Sequence, residues 1–266
     1  MWKRAKSPLA VLILALSVAA LISALKSGRR PSYQEVELGT EHQARLARHG
    51  DEPRERVQSC IALGSPKDTP KEDELARLTL KETVLDREAP PTVVAAAARS
   101  LGRRRDPAAL AAITQRLEDP SAEPTMVKFA AIRAVGDIGD PKGFDALARQ
   151  VTTENSVAAD AAWAMGRLRD TDTGRIPPHV EEKLIEYLWH PAPKIRIGAI
   201  YGLETGGTEK GLAALRELAK DPFHRLSQAA LEVELEDGLG RPTPDLILAP
   251  CRRAIGVIEA RIGSEQ

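Results

Sequence analysis

The chain has 266 residues, with 38 lysines and arginines balanced by 38 aspartates and glutamates. That neutral balance excludes broad electrostatic capture of nucleic acid, which depends on neutralising many phosphates. Hydrophobic residues make up 42% but aromatics only 3%, with alanine prominent and no β-branched alternation, so the composition excludes a sheet-rich core and suits close helix packing.

From the amino end, residues 1–30 read as a signal anchor. Pro8 to Leu25 carries no charge and only Ser17 and Ser23 as polar breaks. At ~1.5 Å per residue this segment extends ~27 Å, enough to cross a thin hydrocarbon core. Lys3, Arg4 and Lys6 precede it, and Lys26, Arg29 and Arg30 follow. Ile22-Ser23-Ala24 is a poor cleavage site with basic residues directly downstream, so the segment is expected to stay attached as a single-pass membrane helix. The amino-terminal amine tips the charge balance toward a cytoplasmic amino end, with the rest of the chain outside the cytoplasm. A secreted protein released by cleavage is the alternative. Residues 31–52 read as a tether, in which Glu41 to His49 forms one or two polar helical turns.

A repeated phrase dominates residues 53–249. One copy is Val127-Lys128-Phe129-Ala130-Ala131-Ile132-Arg133-Ala134-Val135-Gly136, and the next runs from Val157 to Gly166. Aligned on its closing position, the phrase occurs at Gly64, Gly102, Gly136 and Gly166, then in degenerate form at Glu204 and Leu235. Nine residues before closure stand Val93, Val127, Val157, Ile195 and Leu226, and five before it Ala97, Ala131, Ala161, Ala199 and Ala230. In a helix these positions share one face, and alanine there lets neighbouring helices approach closely. The closing glycine is expected to adopt the left-handed conformation that ends a helix. Asp106-Pro107 and Asp140-Pro141 then supply an N-cap and first helical residue for partner helices over Pro107–Glu118 and Pro141–Thr152, with further partners over Pro178–Leu188 and Thr208–Lys220. A period of this size predicts an all-α solenoid of about six helix pairs.

The phrase resembles the HEAT-like repeats of the phycobilisome-lyase type, whose pattern is close to V-R-x-x-A-A-x-A-L-G followed by D-x-x-A-x-x-x-L. Lys128 and Arg196 stand where that family prefers a basic residue, and the resemblance covers roughly residues 53–237. The last two copies lack the glycine, and inserts lie near Pro66–Lys71 and Thr171–Pro178. The resemblance implies a solenoid that binds macromolecules, and it carries an alternative: an accessory or phycobilin-lyase-like factor that binds a protein with its prosthetic group.

At the carboxyl end, residues 250–266 set Ala254, Ile255, Ile258 and Ile262 against Arg252, Arg253 and Arg261, the pattern of a capping helix over the last repeat. Arg103, Arg104 and Arg105, like Arg167 and Arg169, read as inter-helix loop residues, either solvated or facing an anionic partner.

Catalytic signatures are missing. Cys60 and Cys251 lie at opposite ends of the array, too far apart for a disulfide, and Cys60 occupies a packing position. His42, His49, His179, His190 and His224 are scattered, and the His-Glu dyads of di-iron HEAT-like enzymes do not occur. Phosphate-cradle and nucleophile-elbow motifs are likewise absent. No catalytic residue, cofactor or metal is therefore expected.

Three residues before each closing position, opposite the alanine face, stand Arg99, Arg133, Trp163 and Tyr201. Stacked in register they form a ladder of the residue types enriched in binding hot spots. The alternative is that the aromatic rings fold back to cover alanine-rich gaps. Arg149, Glu186 and Tyr187 mark a second surface, on the partner helices. The sequence thus reads as a non-catalytic, membrane-anchored HEAT-repeat scaffold for a protein partner, held to the bilayer through residues 8–25.

Overall fold

The computed structural model describes residues 39–119, 124–152, 155–220 and 247–264. The anchor over 8–25, the sixth phrase at 226–235 and His224 lie outside the described residues. Among those described there are twelve α-helices, two short 3₁₀ turns and no strand. None of these helices is long and apolar enough to cross a membrane.

The helices are α1 (Thr40–His49), α2 (Pro53–Leu63), α3 (Pro70–Leu85), α4 (Pro91–Arg104), α5 (Leu110–Leu117) and α6 (Thr125–Ile138). There follow α7 (Phe144–Gln150), α8 (Ala158–Met165), α9 (Pro178–Tyr187), α10 (Pro193–Gly206), α11 (Glu209–Lys220) and α12 (Leu248–Ser264). Proline sets many of the starts: it opens α2, α3, α4, α9 and α10, where its missing N–H costs nothing. Asp106 and Asp140 cap as their sequence predicts, accepting from the Ala108 and Lys142 amides at 3.0 and 2.9 Å. Each first opens a 3₁₀ turn (Pro107–Ala109 and Pro141–Gly143), from which α5 and α7 continue.

The even-numbered helices form one continuous row, α2–α4–α6–α8–α10–α12, each packed on the one before. Each odd-numbered helix packs most closely on the helix that follows it: α1 on α2, α3 on α4, and so on to α11 on α12. The pairs are therefore offset by one helix from the frame that the repeated phrase suggests. Thr40–His49, expected in a tether, is the first member of the first pair, with Ala44 and Ala47 buried against α2 and α3. Pro250 to Ile262, expected as a capping helix, lies within α12, which packs on α10 and α11 and buries Cys251, Ala254 and Ile258.

The buried side chains match the periodicity. Val93, Val127, Val157 and Ile195 are buried, as are Ala97, Ala131, Ala161 and Ala199, and a single cluster of buried apolar residues runs from Ala47 to Ile258. Cys60 and Cys251 are both buried free thiols. Burial pushes Cys60 up to about 12 and Cys251 up to about 11, so both stay protonated at neutral pH.

The glycine that closes the phrase has a different purpose from the one predicted. Gly102 and Gly136 lie inside α4 and α6, and Gly64 and Gly166 follow α2 and α8 with right-handed angles. The left-handed caps fall three residues later, at Arg105 (φ 50°) and Gly139 (φ 77°). What the closing position requires is room for the next helix of the row. A β-carbon on Gly102 would meet the Ala134 Cα at 2.7 Å, and one on Gly166 would meet the Gly202 carbonyl oxygen at 2.0 Å. A β-carbon on Gly202 or Gly206 of α10 would in turn meet the carbonyl oxygens of Ala162 and Gly166 at 2.8 and 2.4 Å. Backbone therefore rests on backbone between α8 and α10.

The offset pairs are held by polar contacts at helix ends. Glu181, buried in α9, accepts from the Thr208 amide at 2.6 Å and the Gly211 amide at 3.1 Å, capping α11 from another helix. Arg56 donates to the Ala47 carbonyl at the end of α1 (3.0 Å), and Arg104 to Leu63 and Ser65 at the end of α2 (2.8 and 2.6 Å). Arg104 is also paired with Asp73, whose carboxyl its hydrogen bond holds below the ordinary range.

Two outcomes test this packing. Gly166→Ala forces backbone apart and is expected to cost about 3 kcal/mol, read as a lowered denaturant midpoint. Arg105→Gly relieves an exposed left-handed arginine and is expected to stabilise by about 0.5–1 kcal/mol in thermal unfolding.

Candidate protein-docking face

The even row carries the four ladder residues on successive helices: Arg99 on α4, Arg133 on α6, Trp163 on α8 and Tyr201 on α10. Arg99 and Arg133 are exposed, whereas Trp163 and Tyr201 are half-buried. The fold brings Arg133 to Trp163, with its guanidinium 5.2 Å from the ring centre. Arg167 takes a second position over Trp163 at 5.1 Å, and Arg133 also lies 5.6 Å from the Phe129 ring. Tyr201 is faced instead by Arg253 of α12 at 5.2 Å, and that arginine donates to Glu204 at 2.8 Å.

The ladder is therefore shorter than expected and more built. Its centre is a tryptophan with two guanidinium groups over its ring, a geometry that aromatic quadrupoles favour. Arg167 is tied in turn to the Asp137 carboxylate at 2.6 Å. Trp163 also packs against the main core, so part of its ring does cover the alanine-rich seam. Phe129 and Arg133 are four residues apart on one helical stripe, Arg167 follows Trp163 by the same step just past the end of α8, and that spacing was a usable sequence signal. Arg253 over Tyr201 had none, because it depends on which helix follows α10 in the row.

The other candidate surface is open at Arg149 and Glu186, which are exposed, and closed at Tyr187. Tyr187 is buried, with Lys183 5.1 Å from its ring, and burial raises its hydroxyl above the ordinary range. Arg149 is paired with Glu118, and Glu186 with Lys183 at 2.8 Å. The expected loop arginines also change character. Arg103 and Arg104 belong to the last turn of α4, where Arg103 donates to the Ser100 hydroxyl at 2.9 Å. Arg167 and Arg169 follow α8 and point back to helix-end carbonyls.

Among the described residues, no group of three or more His, Cys, Asp or Glu side chains is placed to hold a metal ion. His179 meets the Phe144 ring edge-on at 5.0 Å, and His190 accepts from the Ala192 amide at 3.1 Å through Nδ1.

One carboxylate beside the tryptophan is perturbed. Burial raises the Asp160 carboxyl above its ordinary value, while Arg133 pulls it down. A raised folded value means protonation favours the folded state: the contribution is full below the ordinary carboxylate range and is lost as pH rises through the folded value. Asp160→Asn should therefore melt higher than the wild type at neutral pH, and the gap should close toward about pH 3.5, as followed by circular dichroism.

Residues 79–166 match a family model described as HEAT repeats. No curated protein sequence matches the chain. Among solved structures, human deoxyhypusine hydroxylase in complex with glycerol is similar at a TM-score of 0.43 and 20% identity, over 82% of this chain and 84% of that one. The match to HEAT repeats thus covers residues 79–166, and stacked helices continue on both sides of it among the described residues.

Proposed function

We propose that the chain is a non-catalytic scaffold that docks a partner protein on the outer face of the even row, around Trp163. The observation that carries this reading is the Arg133–Trp163–Arg167 stack. A core position would not need two cations over one half-buried ring, whereas a docking face gains from a rigid aromatic anchor ringed by arginines. Exposed Arg99 and Arg133 on adjacent helices suit a partner that presents carboxylates. Residues 8–25 anchor this scaffold in a membrane with the repeats outside the cytoplasm, a reading supported by the uncharged 18-residue run and its basic flanks.

A photo-crosslinking residue at position 133 tests the docking face, with position 149 on the odd row as control. A partner should be captured from native membranes through 133 and not through 149. Trp163→Ala with Tyr201→Ala should reduce that capture at least ~10-fold while the helical signal is retained. Equal capture from both positions would remove the docking reading. The anchor is checked separately: intact mass should retain residues 1–30, and the protein should resist alkaline extraction from membranes.

A further inference from the structure

Between α4 and α10 the two rows are spaced differently. The even helices touch backbone to backbone, as where Gly166 meets Gly202, whereas the backbones of α5, α7 and α9 stand further apart. A stack that is tight on one side and open on the other bends toward its tight side. The solvent side of α4 to α10 is therefore the inside of that bend, and the residues on it line a trough.

An apolar strip crosses this trough. Phe129 lies one turn before Arg133 on α6, and Ile197 one turn before Tyr201 on α10. Phe129, Trp163 and Ile197 pack against the core yet keep part of their surface in solvent, and Tyr201 is half-buried beside them. The carboxylates along the strip are engaged: Asp137 with Arg167, and Glu204 with Arg253. Asp160 is half-buried next to Arg133. Arg99 and Arg133 are exposed, and among the described residues neither has a salt bridge. The end of the trough over α4 and α6 is thus positive, and the end over α8 and α10 is aromatic.

We propose that this trough holds an acidic amphipathic helix of the docked partner, its apolar side chains on the strip from Phe129 to Tyr201 and its carboxylates toward Arg99 and Arg133. The inference rests on the docking reading above and names the kind of segment that docks. Exposed guanidinium groups without internal partners set the sign of its charge. Spacing sets its conformation. Packed helices lie about 8–10 Å apart, and a helix laid across them returns side chains to one face every two turns, about 10.5 Å. An extended strand repeats a face every ~6.6 Å and falls out of step with the row.

The test places photo-crosslinking residues at positions 99 and 201 of the full-length chain in native membranes and identifies the captured partner residues by mass spectrometry. Three steps of the row span about 27 Å. A docked helix therefore separates the two captured residues by about 18 positions, and an extended segment by about 8. The expected result is the longer separation, with aspartate or glutamate around the residue captured from position 99. The shorter separation, or a captured segment without carboxylates, overturns the acidic helix and leaves the docking face standing. Capture from neither position overturns both. A synthetic helix about 21 residues long, with leucine at every seventh position between flanking glutamates, gives a second reading by fluorescence anisotropy against a blank of detergent micelles. Arg99→Glu with Arg133→Glu should weaken its binding at least ~10-fold and make the lysine counterpart of the peptide the tighter ligand. Equal binding of the two peptides by the wild type, or an unchanged preference in the double variant, overturns the proposal.

Discussion

Close approach of the even-numbered helices is the constraint from which the rest of this architecture follows. Alanine at one position and glycine five residues later bring the helices near enough for backbone to touch backbone, most tightly where Gly166 meets Gly202. Large residues are then excluded from the seam, and the bulk needed to fill the remaining space comes from the leucine and isoleucine side chains between the rows, such as Leu101, Ile113, Leu147 and Leu184. The low aromatic content is a result of this packing.

Arginine complements that close packing. Helices stacked so tightly bring their carboxyl ends together, where orphan carbonyls and the negative end of the helix dipole accumulate. Arg56, Arg104 and Arg261 each reach from a later helix to the end of an earlier one, so a chain of zero net charge uses much of its positive charge internally. The arginines that remain exposed, Arg99 and Arg133 among them, are correspondingly distinctive.

The sequence carried the helices, their proline starts and their buried stripes clearly, because each depends on residues within one turn of one another. Val93, Ala97 and Leu101 announce their face without help from any other helix. What it did not carry is pairing. The glycine at the end of the phrase looks like a cap when read locally, and its real constraint, Ala134 against Gly102, lies 32 residues away. The offset of the pairs was hidden for the same reason: α1 is polar enough to read as a tether until α2 and α3 are seen covering Ala44 and Ala47. At the candidate docking face, the residue types and their row were legible. The clamp on Trp163 was half legible, through the four-residue step to Arg167, and the partner of Tyr201 was not. The meeting of Arg169 and Arg261 on the Thr205 carbonyl could not be anticipated, since 92 positions separate them.

The direction of the arginine contacts has a consequence for how such a chain is made. Arg56 closes the end of α1, Arg104 that of α2 and Arg261 that of α10, in each case from a residue synthesised later. A nascent chain leaving the ribosome therefore presents these three helices without their last arginine until a later part of the array emerges. At those points, growth of the fold is tied to the order of translation.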